Sequence, residues 1–184
     1  MHIDKATKNY FLEIDIDYNP NDFLELFDRY ELEMYIDRNG EPFGLEVCYD
    51  KKLLTEPVVQ HYANVFKDFG LRLEYDRPVD NNKHSGVAGY QLARSQLKDR
   101  GLNIHRDGFR KFNITFPVTY PQSINWYSDK TGSGKYTYEY NKKIVCCNVG
   151  GAWHNVDPST EPRLQFQFDC YVDWETIPGL LEKI

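Results

Sequence analysis

Two stretches of the chain, Arg110 to Val118 and Arg163 to Val172, alternate apolar and polar residues, and that pattern restricts the fold more than any other feature. In the first, Phe112, Ile114 and Phe116 share one side while Lys111, Asn113 and Thr115 share the other. In the second, Leu164, Phe166 and Phe168 oppose Arg163, Gln165 and Gln167. Side chains two apart lie on the same face of a strand. The apolar sets predict strands packed under helices, and the polar sets face either a common interior or solvent. An unpaired polar group in an interior costs about 1–3 kcal/mol, so a polar interior implies that something binds there.

Two further stretches carry a β signal, Leu102 to Asp107 and Tyr136 to Val145. Turn residues separate the four: Pro121-Gln-Ser, the Asp129-Lys-Thr-Gly-Ser-Gly run, Asn148-Val-Gly-Gly and Asp157-Pro-Ser-Thr. Upstream, Tyr10 to Ile16 alternates as an early strand. Asn21 or Asp22 is placed to cap a short helix through Phe23, Leu24 and Phe27. Pro57 suits the first turn of a second helix carrying Val58, Tyr62, Val65 and Phe66 at helical spacing, with Gly70 as its stop. Asp76 to Gly89 reads as a loop. The expected architecture is one domain over residues 1–184. It is mainly β, a double-stranded β-helix (jelly-roll) barrel, with helices, early strands and a loop in 1–100 and a site-bearing β core in 101–172. N-terminal helices would buttress one sheet while the barrel mouth holds the site.

The net charge of −6 argues against a nucleic-acid surface. The 14 Tyr and 11 Phe suit a β-rich protein. The start, Met-His-Ile-Asp-Lys, lacks the layout of a signal peptide, and no apolar run is long enough to span a bilayer; a cytoplasmic protein without a membrane partner is expected. Cys48, Cys146, Cys147 and Cys170 form no metal-type pair, and adjacent Cys146 and Cys147 should point to opposite faces as reduced thiols.

The chemistry-bearing residues form an ordered set: His105-Arg-Asp107, then His154, then Arg163. One strand end directs His105 and Asp107 to the same face, and the Gly150-Gly151 turn could bring His154 beside them. Two imidazoles and one carboxylate on one face of an octahedral ion leave the other face open, as non-haem Fe(II) requires when it must also hold an organic cosubstrate and O2. Four-coordinate zinc with water is the other ion this donor set accommodates. An H-x-D pair is also common by chance, and Asp before Gly is a good turn residue. Arg163 adds a planar fork suited to gripping a carboxylate through two parallel hydrogen bonds.

These segments resemble the Fe(II)/2-oxoglutarate-dependent dioxygenases, and look closest to the aspartyl/asparaginyl β-hydroxylase-like branch and to small stand-alone hydroxylases of bacteria and phages. The resemblance runs from about Leu102 to Phe168 and is sharpest at His105-Arg-Asp107, Asn113-Ile-Thr-Phe-Pro117 and His154 through Arg163. It implies His105, Asp107 and His154 as iron ligands, Arg163 as partner of the distal 2-oxoglutarate carboxylate and Asn113 as a polar group near the cosubstrate. It also implies O2-dependent hydroxylation of a small molecule or a peptide or protein residue, with release of succinate and CO2. Arg110, Trp126, Tyr127 and Trp153 flank the motifs and are candidate substrate contacts, although both tryptophans suit packing equally well. Two other functions fit the pattern: a cupin-like metal- or ligand-binding barrel without oxygenase activity, and a structural β-sandwich in which the motif is coincidental.

Overall fold

Ten strands and three short helices make up the regular structure of the described residues. The protein is seen in a computed structural model that describes residues 8–36, 42–73, 89–95, 102–107 and 110–184. The strands are β1 (Phe11–Ile14), β2 (Glu33–Ile36), β3 (Pro42–Cys48), β4 (Tyr90–Ser95), β5 (Phe112–Pro117), β6 (Ser123–Tyr127), β7 (Tyr136–Glu139), β8 (Ile144–Cys147), β9 (Trp153–Asn155) and β10 (Arg163–Cys170). The helices are α1 (Pro20–Arg29), α2 (Pro57–Val65) and α3 (Ile177–Leu181). Seven strands form one antiparallel sheet in the order β1-β8-β5-β10-β4-β3-β2, and β7-β6-β9 form a second.

The large sheet separates two cores. On the helix side, Phe112, Ile114 and Phe116 of β5 and Phe166 and Phe168 of β10 pack with Phe23 and Leu26 of α1 and Val59 and Tyr62 of α2. On the other side, Val145 and Cys147 of β8 join Ile124, Trp126 and Tyr138 of the small sheet. Adjacent Cys146 and Cys147 therefore serve different cores, and all four cysteines are buried and free. The alternating strands bury their apolar sets under the helices, as expected, and turn Asn113, Thr115, Arg163, Gln165 and Gln167 to the space between the sheets, whereas Lys111 is exposed and pairs with Asp173. Phe116 lies within ring-contact range of Phe23, Tyr62 and Phe166, at centroid separations of 4.9, 4.8 and 5.9 Å.

Several boundaries differ from the sequence reading. Helix α1 begins two residues early because Pro20 occupies the first turn and Asn19 caps it, its side chain accepting from the Asn21 amide at 3.2 Å. Within α1, Leu26 is buried and Leu24 is exposed. Helix α2 passes through a 3-10 turn, Lys67–Phe69, to Gly70, whose φ of 64° lies in the left-handed region. The stretch Tyr136 to Val145 is two strands in different sheets, broken at a turn where Lys142 has φ 55°. Leu102 to Asp107 makes only a single β-bridge, His105 to His154. The loop read at Asp76 to Gly89 lies outside the described residues except for Gly89. Among the described residues no helix is long and apolar enough to cross a membrane.

Two outcomes test this packing. Phe116→Ala should lower unfolding stability by about 3–5 kcal/mol in a denaturant titration, because the cavity it leaves is walled by rings that cannot collapse into it. Burial raises the phenol pKa of Tyr18, Tyr138 and Tyr140 above its ordinary value of 10. The unfolded chain loses those protons near pH 10 while the folded protein keeps them, so stability falls as pH rises through 10. Phenolate absorbance should show these tyrosines ionising only together with alkaline unfolding; their early, independent titration would refute the buried assignment.

Candidate metal centre

The turn between β8 and β9 folds back against the segment carrying the first two candidate ligands. The Gly150 amide donates to the Lys111 carbonyl at 2.9 Å, and a Cβ on Gly150 would sit 2.2 Å from the Arg110 carbonyl oxygen. Only glycine permits that approach. Asp107 N–H donates to the Val149 carbonyl at 2.9 Å, and His105 and His154 exchange backbone hydrogen bonds of 3.0 and 2.9 Å. The pairing places both imidazoles on one face, with ring centroids 4.3 Å apart.

One side-chain nitrogen or oxygen from each of His105, Asp107 and His154 lies within 4.8 Å of the other two. Asp107 Oδ1 is 3.4 Å from His105 Nε2 and 4.0 Å from His154 Nε2. His105 Nδ1 donates to the Asn103 carbonyl at 2.7 Å, and His154 Nδ1 to the Ala152 carbonyl at 3.2 Å. A carbonyl only accepts, so Nδ1 carries the hydrogen in each ring and Nε2 presents a lone pair toward Asp107. Three lone pairs converging on one point repel unless a proton or a metal ion lies between them. The titration of the groups reflects this. Burial opposes charge on His105, but Asp107 and the Asn103 carbonyl, both of which favour the protonated ring, outweigh it and raise its pKa. Burial holds His154 down to about 4, so its ring is neutral at pH 7. Burial alone would raise Asp107, yet Arg110 and the two imidazoles hold the carboxyl well below the usual range. An ionised carboxylate and a neutral imidazole are the forms that bind a divalent cation.

The triad opens onto a cavity of about 130 Å³ between the two sheets. Arg163, at the start of β10, lines the same cavity and is 7% exposed. Its Nε has no hydrogen-bond partner, and burial lowers its pKa. A buried guanidinium without a carboxylate is costly on its own and suits an anionic ligand that completes it. Asn113 and Thr115 of β5 also line the cavity, the Thr115 hydroxyl donating to Asn113 Oδ1 at 3.2 Å.

The four candidate substrate contacts have other places. Trp126 is fully buried and stacks on Tyr10, with His154 at 5.5 Å. Tyr127 donates to Asn155 Oδ1 at 3.1 Å. Trp153 lies under the Arg106 guanidinium at 4.6 Å. None of these three aromatic residues lines the cavity; for Trp153 the reason is that the β-bridge that turns His154 inward turns its neighbour to the opposite face. Arg110 does reach the cavity, but its guanidinium is engaged with protein carboxylates: Nε donates to Asp107 Oδ2 at 2.6 Å and Nη1 to Asp169 Oδ1 at 2.7 Å.

Asp169 was not singled out from the sequence, although it continues the inward set of β10 two residues after Gln167. The same face carries a chain of amides. Arg110 Nη1 (3.4 Å) and Gln91 Nε2 (2.6 Å) both donate to Gln167 Oε1. Gln167 then donates to Gln165, Gln165 to Gln122, and Gln122 to the Leu164 carbonyl. A donor-only cation at one end and backbone carbonyls at the other fix the direction of every amide between.

No protein-family model and no curated protein matches the sequence, but solved structures match the fold. A Trichoplax adhaerens prolyl hydroxylase in complex with a hypoxia inducible factor oxygen degradation domain peptide aligns with a TM-score of 0.57 at 8% identity, covering 90% of this chain and 84% of that one. A Pseudomonas putida prolyl-4-hydroxylase aligns with a TM-score of 0.54 at 13% identity, covering 90% and 94%. The chain has the jelly-roll fold of these hydroxylases. At such identities the likeness is one of fold, and the chemistry must be argued from the site.

Arg163→Met should stabilise the ligand-free protein by about 1–3 kcal/mol, since it removes an unpaired buried polar group while filling similar space. Chemical denaturation measures this; a loss of stability would mean that the guanidinium has a structural partner.

Proposed function

We propose that the protein is an Fe(II)/2-oxoglutarate-dependent oxygenase that hydroxylates an amino-acid residue in a peptide or protein, or a small molecule. The observation that carries this reading is a buried guanidinium whose Nε has no hydrogen-bond partner, in the same small cavity as a convergent His-Asp-His set. The donor set fits Fe(II), and the orphaned Arg163 Nε fits a carboxylate. His105, Asp107 and His154 would hold the metal. Arg163 would hold the distal carboxylate of 2-oxoglutarate, with Asn113 beside it. When bound, iron and 2-oxoglutarate supply the oxidative chemistry, turning O2 and 2-oxoglutarate into a hydroxylated substrate, succinate and CO2.

The chain's own groups set the conditions for that chemistry. Leu102, Val149 and Val156 give the cavity an apolar part that limits water. A volume of 130 Å³ is well below the roughly 300–1,000 Å³ of pockets for drug-sized ligands, so a short dicarboxylate fits inside and a larger substrate presents one group at the mouth. The Trichoplax neighbour is a prolyl hydroxylase with a peptide, which supports a peptide or protein substrate here. Placement near the aspartyl/asparaginyl β-hydroxylase-like enzymes, or near small bacterial and phage hydroxylases, rests on the His105-Arg-Asp107 and His154-to-Arg163 segments. The net charge of −6 supports an enzyme that does not act on nucleic acid.

Anaerobic Fe(II) and 2-oxoglutarate together should give a weak visible charge-transfer band, and air should then release succinate. Arg163→Met should weaken 2-oxoglutarate binding by about 2–5 kcal/mol in calorimetry while leaving metal binding intact. Asp107→Ala should keep the native circular dichroism and lose nearly all succinate release. A protein that binds metal but never 2-oxoglutarate would instead be a cupin-like binding barrel.

A further inference from the structure

We propose that Arg110 is a positioning residue that restricts Asp107 to one-oxygen metal ligation, keeping free the coordination position that O2 needs. The inference rests on the Fe(II)/2-oxoglutarate reading above. Its basis is the division of labour within one carboxylate. Asp107 Oδ1 faces both imidazoles, at 3.4 and 4.0 Å, while Oδ2 accepts from Arg110 Nε at 2.6 Å.

Arg110 is itself held. Its Nη1 donates to Asp169 Oδ1 at 2.7 Å and, more weakly, to Gln167 Oε1 at 3.4 Å, and both acceptors belong to β10 in the centre of the large sheet. Asp169 is 1% exposed and Arg110 also sits against the Gly150 turn through its backbone. The guanidinium therefore ties a carboxylate in an irregular segment to a central strand paired on both edges. A planar fork does this through two different edges at once, which an ammonium cannot.

Coordination number gives the arrangement its consequence. One atom from each of three residues leaves three octahedral positions, two for a chelating keto acid and one for O2. If Asp107 gave both oxygens, two positions would remain and the chelating cosubstrate would fill them. Turning Oδ2 toward the metal requires breaking its charge-assisted hydrogen bond to Arg110. Arg110 thus protects reactivity rather than affinity: an unrestrained carboxylate would still bind metal and cosubstrate.

Mn(II) is a suitable probe, because the water bound to it is counted by water-proton relaxivity. Wild type, Arg110→Met and Arg110→Lys would be loaded with Mn(II) without 2-oxoglutarate, after circular dichroism and thermal melting confirm folding. Arg110→Lys keeps the cation that compensates Asp107 and Asp169, so it reports even if Arg110→Met does not fold. Relaxivity per bound Mn(II) should fall by about one-third as three water positions become two. With Fe(II), the variants should still give the 2-oxoglutarate charge-transfer band but lose most O2-dependent succinate release. Unchanged relaxivity in a folded variant, beside a wild type that binds both Mn(II) and 2-oxoglutarate, would overturn the role of Arg110 alone. A wild type that binds neither would overturn the oxygenase reading, and this inference with it.

Discussion

Strand β10 is paired on both edges, with β5 and with β4, and its two faces do opposite things. Phe166 and Phe168 enter the core beneath the helices, while Arg163, Gln165, Gln167 and Asp169 face the space between the sheets. A slip of one residue would exchange those faces, placing a guanidinium and a carboxylate in the core beneath α1 and α2 and leaving the rings against His105, Asp107 and His154. Register is therefore fixed by an energetic penalty spread along the whole strand. Everything in the site inherits its position from that register.

The interior of the barrel is an electrostatic compromise. Arg110, Asp107 and Asp169 form a compact buried group in which one cation serves two carboxylates, and Asp169 Oδ2 remains unpartnered. Burial raises the Asp169 pKa, while Asp107, closer to positive charge, is held low. At the other end Arg163 has no ion-pair partner among the described residues, with Asp157 acting on it only from a distance. Such a distribution is poorly balanced as a fold and well matched to a ligand that carries both a divalent cation and carboxylates. Stability given up in the free protein reappears as binding of the groups that complete it.

Much of this was legible in the alternation of β5 and β10, because a period of two states which side chains share a face before any partner is known. His105, Asp107, His154 and Arg163 were legible as an ordered set, and their convergence follows from a glycine turn and one β-bridge. Strands β2, β3, β4, β6 and β9 were not. Trp153–Asn155 is three residues long, too short for any period, and Tyr90–Ser95 sits in the middle of the sheet where both faces are buried. Trp153 lies outside the cavity for a related reason. Adjacency in sequence on a strand means opposite faces, so a neighbour of a ligand is the residue most surely turned away from it. The Arg110–Asp169 contact spans 59 positions, and nothing local announces it.

The run of glutamines along the cavity wall has a directional sense that no single glutamine determines. Gln91, Gln167, Gln165 and Gln122 could each be reversed at no intrinsic cost, but Arg110 admits only an oxygen and the Leu164 carbonyl only an N–H. The polarity of the wall is therefore inherited, side chain by side chain, from the same arginine that steadies the carboxylate ligand. Selection could not retune one without disturbing the other: an altered Arg110 would free the amides to flip and change which hydrogen-bonding face a guest molecule meets. The carboxylate of Asp107 and the amides of the wall share one inherited determinant.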